Sequence, residues 1–196
     1  MKKLKSLEGY NTGAYWRKRS DLLYYRYLDY ILRTVGKDAQ SMADIGTGGC
    51  AYLDWFDWIP DRVSIDIAKP YISEGVRGIN GNILDMKFEE KYDICTCFQV
   101  LEHIPKAKKF ARKLFEIGQM VIVSVPYEWP AGNVPGHVHD PVDDKKLAKW
   151  MGREPNYQIL VEEPFRHGTG KRLIAIYDED KNREFDANLI NDRLIR

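Results

Sequence analysis

The stretch Ser41-Met42-Ala43-Asp44-Ile45-Gly46-Thr47-Gly48-Gly49 decides the fold of this 196-residue chain. Its first five residues have the pattern of a short apolar strand, and an apolar stretch from Ala51 to Trp58 with the pattern of a short helix follows the glycines. Glycines between a strand and a helix let the backbone approach a ligand closely, because they carry no Cβ. The stretch therefore predicts the first strand–turn–helix unit of a ligand-binding α/β protein.

The rest of the chain continues the alternation of strands and helices. Before the glycine loop, apolar residues recur at helical spacing from 20 to 35, and Gly36 ends the run. The clearest amphipathic helix covers 107–115, with one apolar stripe and a basic opposite face. Further strands are expected at 62–67, 92–98, 120–125 and 173–177 and around Ile159. This order predicts a three-layer α/β fold with a mostly parallel sheet.

Composition and charge describe one ordinary globular domain. Hydrophobic residues make up 44% and charged residues 30% of the chain, and the net charge is +1. These values exclude a fibrous or disordered chain and give no general reason to expect nucleic acid or acidic lipid as a partner. No apolar run approaches the roughly 20 residues of a membrane span, and the basic start is not followed by the apolar stretch of a signal peptide. The three cysteines form no Cys-x-x-Cys pair, which favours reduced, buried thiols and a cytoplasmic location.

Two acidic residues narrow the ligand of the glycine loop. Gly46-x-Gly48-x-x-Ala51 alone also matches the fingerprint of dinucleotide-binding proteins. Asp44 lies at the mouth of the predicted loop, where a carboxylate about 5 Å from a pyrophosphate would cost about 3 kcal/mol at an effective dielectric constant of about 20. The same carboxylate favours a ligand that carries an ammonium group. Asp66 ends the next strand, where an acid accepts both hydroxyls of a ribose in either a dinucleotide or an adenosyl ligand.

A further motif gives the sequence a family resemblance. The acids and glycines, together with Phe98-Gln99-Val100-Leu101-Glu102-His103-Ile104 at the end of a later strand, resemble class I S-adenosylmethionine-dependent methyltransferases. The motifs lie in residues 40–125, and beyond them the resemblance rests on the order of elements. It implies a Rossmann-like methyltransferase fold, a seven-stranded sheet whose last strand is antiparallel, and methyl transfer from S-adenosylmethionine. It leaves the methyl acceptor open.

The resemblance also implies which residues hold the two ends of S-adenosylmethionine. The methionine moiety would be held by Asp44, Gly46, Thr47 and Gly48, with Phe98 and Gln99 beside the methionyl chain.

At the other end, Asp66 would bind the ribose and Ile67 would pack on the adenine. The adenine amino group would be met by the segment that contains Asn82 and Ile83, where Asn82 stands in place of the acid that the family often has. Its amide oxygen accepts the same hydrogen bond without the assistance of a charge, so we expect a weaker contact.

The resemblance divides the single domain, 1–196, into functional parts. Residues 40–125 are the cofactor-binding half, residues 126–177 are an acceptor-side loop with a helix and closing strands, and residues 178–196 are a C-terminal tail. Residues 1–36 are an N-terminal helical lid or extension. A lid is expected because Tyr10, Tyr15 and Trp16 are interleaved with basic residues, and Arg17 is the candidate partner for the carboxylate of the cofactor. A basic tail without a role at the site is the alternative.

Three histidines are candidate catalytic residues on the acceptor side. His103 follows Glu102 at the end of a strand, where it either caps and packs or lines the acceptor pocket. His137 and His139 lie in the long loop after the strand at 120–125, where this family builds acceptor pockets. A general base is needed only if the acceptor starts protonated. No metal is expected, because alternating histidines in a loop are a weak signature without a further group of ligands.

The leading prediction for function is O- or N-methylation of a small molecule such as a sugar, a lipid precursor or a secondary metabolite. An RNA methyltransferase that uses the basic, aromatic first 20 residues is an alternative, although a recognisable RNA-binding domain and the Asn-Pro-Pro-Tyr signature are both lacking. A non-catalytic S-adenosylmethionine-binding protein and an NAD-dependent reductase are further alternatives, which the acids and glycines disfavour. No membrane partner is expected, and the oligomeric state is left open.

Overall fold

One seven-stranded sheet forms the centre of the protein. The computed structural model describes residues 13–195. The strands, in chain order, are β1 Ser41–Ile45, β2 Asp61–Asp66, β3 Val76–Asn80, β4 Tyr92–Phe98, β5 Gly118–Pro126, β6 Tyr157–Glu162 and β7 Lys171–Asp178. Across the sheet they lie in the order β3-β2-β1-β4-β5-β7-β6.

The helices connect these strands and cover both faces of the sheet. They are α1 Gly13–Arg17, α2 Leu23–Val35, α3 Ala107–Ile117, α4 Asp144–Met151 and α5 Asn188–Asn191, together with 3-10 helices at Ala51–Phe56, Ile83–Asp85 and Leu101–His103. Within residues 13–195, no helix has both the length and the apolar character that a membrane span requires.

The pairing of the strands confirms the predicted sheet. β1 pairs in parallel with β2 and β4, and β4 pairs in parallel with β5. β7 runs antiparallel to both β5 and β6, so six strands share one direction and the last strand opposes them. The chain order reverses between β1 and β4, which makes the crevice beyond their carboxyl ends the expected ligand site of such a sheet.

Alternation along β5 explains the three layers. Successive side chains of a strand point to opposite faces. Val121 and Val123 accordingly belong to the core on the side of α3 and α4, whereas Met120 and Ile122 belong to the core on the side of α2. The two apolar cores confirm the three-layer prediction.

The cysteines are free and buried, as the sequence predicts. Cys50 follows the glycine loop, and Cys95 and Cys97 lie in β4. Burial raises the pKa of all three thiols, that of Cys50 to about 12.

Two elements differ from the sequence predictions. The edge strand β3 was not located individually, because Arg77 and Gly78 interrupt its apolar pattern and only Val76 is buried. The stretch expected as a helix from Ala51 to Trp58 forms a shorter 3-10 helix, Ala51–Phe56, and Pro60 follows before β2 begins.

The tight approach of the glycine loop to the chain after β4 predicts the effect of a matched pair of substitutions. Gly46 and Gly132 both have positive φ, 81° and 80°, so alanine meets the same backbone strain at either position. A Cβ on Gly46 would lie 2.6 Å from Cγ2 of Val100, whereas a Cβ on Gly132 has no neighbour within 4 Å. We expect Gly46→Ala to lower the free energy of unfolding by about 1–3 kcal/mol more than Gly132→Ala, because only the first overpacks its surroundings.

Urea unfolding of both variants measures the difference. Adding Val100→Ala to Gly46→Ala should recover part of the loss, and equal losses in the two single variants would contradict the assignment of the strain to Val100.

Candidate functional site

The residues predicted to hold the cofactor gather at the carboxyl ends of β1, β2 and β4. The glycine loop follows β1, Asp66 ends β2, and Gln99 follows β4. These three segments surround the point where the strand order reverses. The structure thus brings together segments that are separated by up to 55 residues in the chain.

Asp44 lies beneath the glycine loop, not at its mouth. Its carboxylate is fully buried and accepts hydrogen bonds from three hydroxyl groups: Thr47 Oγ1 at 2.5 Å, Tyr52 Oη at 2.6 Å and Thr96 Oγ1 at 2.6 Å. Burial raises the pKa of Asp44, and these three hydrogen bonds oppose the rise. The carboxylate holds the loop from below and is not itself exposed to a ligand. It would favour the ammonium group of a ligand through its negative charge and through the conformation that it gives the loop.

Thr47 connects the glycine loop to β2. Besides donating to Asp44, its hydroxyl lies 2.7 Å from Oγ of Ser64, and the Ser64 hydroxyl accepts the backbone N–H of Tyr71 at 2.8 Å. Thr47 is itself buried. Its side chain therefore supports the loop, and its backbone is the part that a ligand at the strand ends would meet.

Asp66 bridges the glycine loop and the loop after β2. Its Oδ2 accepts the backbone N–H of Gly48 at 3.1 Å, and its Oδ1 accepts those of Ala68 and Lys69 at 2.7 and 3.0 Å. The next side chain, Ile67, is 51% exposed. An oriented carboxylate is thus followed by an exposed apolar side chain, and the contacts with a ribose and an adenine stay predictions.

Asn82 begins a 3-10 helix. Its Oδ1 accepts the backbone N–H of Leu84 at 3.1 Å, and its Nδ2 donates to Asp85 at 2.9 Å. Ile83 is buried in the core, so only its backbone can face a ligand. The amide oxygen of Asn82 retains a second lone pair for an adenine amino group.

Gln99 has a strained backbone at the end of β4. Its φ is +57°, in the left-handed region that non-glycine residues seldom adopt. Its backbone N–H donates to the Ser124 carbonyl at 3.0 Å, and its Nε2 donates to the Ser124 hydroxyl at 3.2 Å. Phe98 is buried with its ring 5.7 Å from that of Tyr52. Phe98 therefore supports the site from the core, while Gln99 lies at the crevice.

The described part of the N-terminal segment is anchored beside the glycine loop. The Trp16 ring lies 5.0 Å from that of Tyr25, 5.4 Å from that of Trp55 and 6.0 Å from that of Tyr52, the tyrosine that bonds Asp44. Tyr10, which the lid prediction also used, lies outside residues 13–195.

Arg19 is a second candidate, beside Arg17, for the partner of the cofactor carboxylate. Arg17 is exposed, and its Nη1 lies 3.7 Å from the position of a Cβ on Gly13, in its own helix. The Arg19 guanidinium lies 3.7 Å above the Tyr15 ring. Burial and Asp44 raise the pKa of Cys50, and a hydrogen bond with Tyr25 and the positive charge of Arg19 oppose this rise.

Two of the three predicted histidines meet beside β4. The rings of His103 and His137 lie 4.7 Å apart, and the Nε2 atom of each lies 4.0 Å from Oε1 of Glu102. The loop returns over β4 because the backbone N–H of Val138 donates to the Glu102 carbonyl at 2.9 Å. His137 Nδ1 contacts Asp140 Oδ2 at 2.6 Å.

His139 is separate from this cluster. Its Nε2 contacts the carbonyl oxygen of Ile104 at 2.8 Å, and its ring lies 5.0 Å from that of Trp150 in α4. It also helps to line a groove of about 700 Å³ whose other lining residues include Lys106, Lys108, Lys109, Arg112 and Lys113 of the α3 region. The loop histidines thus serve two different surfaces.

A buried cation on β7 was missed by the sequence analysis. Arg172 pairs with Pro126, the last residue of β5, so it lies level with the carboxyl ends of the parallel strands. Its guanidinium lies 5.3 Å from the Tyr24 ring and 5.2 Å from the Trp129 ring. Glu163, 4.0 Å from Arg172, accepts the first backbone N–H groups of α2. The available signal in the sequence was Arg172 itself, directly before the apolar run Leu173-Ile174-Ala175-Ile176 of β7.

Solved structures with this fold are similar to most of the chain. N-methyltransferase NodS from Bradyrhizobium japonicum WM9, in complex with S-adenosyl-L-homocysteine, gives a TM-score of 0.67 at 14% identity, covering 88% of this chain and 95% of its own. The 1,6-didemethyltoxoflavin-N1-methyltransferase from Burkholderia thailandensis, with 1,6-didemethyltoxoflavin and S-adenosylhomocysteine bound, gives 0.63 at 16%, covering 80% and 78%. The cyclase SpnF gives 0.62 at 12%, covering 78% and 80%.

These similarities define the class of fold. No family profile and no curated protein matches the sequence. The chain has the Rossmann-like fold of class I S-adenosylmethionine-dependent methyltransferases. Because a cyclase shares the fold, the reaction must be argued from the site.

The buried carboxylate of Asp44 predicts an unequal response to two similar substitutions. Thr96→Val removes a hydroxyl that donates to a fully buried charge, whereas Thr34→Val removes a hydroxyl that donates to a neutral carbonyl, that of Tyr30. We expect Thr96→Val to lower the free energy of unfolding by about 1–3 kcal/mol and Thr34→Val by about 1 kcal/mol or less. Chemical denaturation of the two variants tests this order, and a larger loss for Thr34→Val would contradict it.

Proposed function

We propose that the protein is an S-adenosylmethionine-dependent methyltransferase that acts on a small molecule. The observation that carries the proposal is the arrangement at the switch point of the sheet. There a glycine loop is held from below by Asp44 and from the side by Asp66, next to the exposed Ile67. The protein offers an adenosyl ligand an acceptor for ribose hydroxyls, an apolar surface for the base and a close backbone for the methionine end.

The residues fit S-adenosylmethionine in three respects. Asp66 is oriented by three backbone N–H groups and still has lone pairs for a ribose hydroxyl. Ile67 has the exposed surface on which an adenine packs. The glycine loop follows a buried acid, which disfavours the pyrophosphate of a dinucleotide and favours an ammonium group.

The chain contributes mainly alignment and exclusion of water. The sulfonium of bound S-adenosylmethionine is already an activated methyl donor, so holding the acceptor in line supplies much of the rate. Gln99 is fixed by Ser124 at the end of β4, and the cluster of Glu102, His103 and His137 begins three residues after it. For a hydroxyl or ammonium acceptor, this cluster is the candidate for removing a proton.

An RNA acceptor is the second candidate, and the α3 region gives it a specific observation. Its basic residues line the groove described above, next to His139. A basic groove attracts phosphates, and such binding weakens steeply with salt. The variants Lys108→Gln and Lys109→Gln separate the two candidates. Methylation of a small molecule that both variants retain favours the first proposal. Methylation of RNA alone, with loss of this activity in both variants, favours the second.

The direct test is methyl transfer itself. The purified chain is incubated with S-adenosylmethionine and a panel of hydroxyl and amine acceptors, and formation of S-adenosylhomocysteine is measured. We expect acceptor-dependent formation with at least one class. If S-adenosylmethionine binds and no panel member or RNA is methylated, the non-catalytic alternative replaces this proposal.

Binding of the cofactor is predicted to depend on Asp66 but not on Asp93, a similar aspartate near the amino end of β4. Asp93 Oδ2 accepts the backbone N–H groups of Gln40 and Ser41, much as Asp66 accepts those near the glycine loop. S-adenosylhomocysteine at about 100 times its dissociation constant should stabilise the protein by about 2.7 kcal/mol. We expect Asp66→Asn to lose most of this thermal shift and Asp93→Asn to keep it, although both lower the melting temperature without ligand.

Thermal unfolding with S-adenosylhomocysteine and with NAD measures these shifts. A shift with NAD alone, or equal ligand shifts in the two variants, would contradict the assignment of Asp66.

Arg19 is predicted to bind the carboxylate of the methionine moiety in preference to Arg17. Arg19→Gln should weaken binding of S-adenosylhomocysteine by about fivefold, equivalent to about 1 kcal/mol for a half-exposed pair, while Arg17→Gln leaves it unchanged. Methylthioadenosine, which has no carboxylate, should bind equally to both variants. Isothermal titration with the two ligands checks this, and the opposite order would restore Arg17 as the partner.

A further inference from the structure

We propose that Glu102, His103 and His137 bind a divalent transition-metal ion, with Asp140 holding His137 in position. One ligand atom from each of the three residues lies within 4.8 Å of the others. The cluster begins shortly after β4 and Gln99. In the strand order, β1 separates β4 from β2, the strand that precedes Ile67. Metal binding goes beyond the proposed methyl transfer and can be measured without it.

The hydrogen bonds of the two rings favour Nε2 as the ligand atom of each histidine. His137 Nδ1 lies 2.6 Å from a carboxylate oxygen of Asp140, and His103 Nδ1 lies 3.0 Å from the carbonyl oxygen of Gly136. Both oxygens accept hydrogen bonds, so Nδ1 is the donor in each ring and a neutral ring has its lone pair on Nε2.

The carboxylate of Glu102 gives the second, independent observation. Glu102 is 1% exposed, and its Oε2 has no hydrogen-bond partner among residues 13–195. A buried carboxylate oxygen without a hydrogen-bond donor is disfavoured. A bound cation at this point would give this oxygen a partner.

Asp140 contacts His137 on the ring nitrogen opposite to the proposed ligand atom. A histidine that binds a metal commonly donates its other ring N–H to a carboxylate, which fixes the ring and raises its basicity. The side chain of Asp140 is 2% exposed and that of His137 is 5% exposed, so the pair is held inside the protein. The Trp129 ring stacks on His137 at 5.8 Å and further limits its rotation.

The donor set selects the class of metal. Mg²⁺ and Ca²⁺ prefer ligand sets made of oxygen, whereas two imidazoles and one carboxylate suit Zn²⁺, Mn²⁺, Fe²⁺ or Co²⁺ and leave coordination positions open. Ligand atoms at about 2.1 Å from a tetrahedral metal lie roughly 3.4 Å apart. Glu102 Oε1 lies 4.0 Å from each Nε2, and all three ligand atoms lie within 4.8 Å of one another, so side-chain movements of about 1 Å or less bring them to that spacing. The side chain of His103, 21% exposed, lies on the solvent side of the cluster.

Open coordination positions would face the acceptor side of the crevice. A metal there would lower the pKa of a bound hydroxyl or water. This catalytic consequence rests on the proposed function. The metal site itself does not rest on it.

Cobalt binding tests the site directly. The full chain is treated with a chelator, dialysed and titrated with Co²⁺, whose visible d–d bands report binding to protein ligands. We expect saturation at one equivalent, at least tenfold weaker binding in Glu102→Gln and His137→Asn, and about 10- to 100-fold weaker binding in Asp140→Asn. Competition with Zn²⁺ and Mn²⁺ ranks the metals.

His167→Asn is the matched control. It makes the same change as His137→Asn at an exposed histidine outside the cluster, and it should bind Co²⁺ as the unsubstituted protein does. Circular dichroism establishes that each variant is folded, and Glu102→Gln, which preserves the shape of the side chain, carries the test if His137→Asn does not fold. Absence of saturable binding, or binding unchanged in Glu102→Gln, overturns the proposal. Neither result depends on S-adenosylmethionine or an acceptor.

Discussion

The buried charge of Asp44 is the constraint on which the glycine loop depends. A fully buried carboxylate is tolerated only when donors surround it, and here three hydroxyls do so. They come from the loop itself (Thr47), from the 3-10 helix after it (Tyr52) and from the neighbouring strand β4 (Thr96). One side chain at the end of β1 therefore connects the glycine loop, the 3-10 helix after it and β4. The conformation of the loop is a property of the core beneath it, not of the glycines alone.

Most of the fold follows from local pattern in the sequence. The switch from helical spacing in α2 to a strand and a glycine loop is a signal within some 30 residues, and the basic and apolar faces of α3 are equally plain. The edge strand β3 has no such signal, because pairing on one side leaves Arg77 free to be exposed. The depth of Asp44 could not be predicted either, since it depends on Thr96, 52 residues later in the chain.

The candidate site divides in the same way. The glycine loop and Asp66 can be found from the sequence pattern, because the loop directly follows β1 and Asp66 is the last residue of β2. The roles of Glu102 and His137 are not marked, because they meet only when the loop from 127 to 143 folds back over β4. The choice between Arg17, the last residue of α1, and Arg19, in the turn after it, likewise depends on where the folded chain places each side chain. Side chains brought together by loops are the part that pattern does not predict.

The buried thiols give the chain built-in reporters of its own opening. Alkylating reagents react with a thiolate, and burial keeps Cys50, Cys95 and Cys97 protonated in the folded protein. Each cysteine can therefore be modified only in molecules that have opened around it. Cys50 belongs to the glycine loop region, whereas the other two lie in the central strand, so their labelling rates separate local breathing of the loop from global unfolding of the sheet. The ratio of the two rates measures how independently the ligand-binding edge moves.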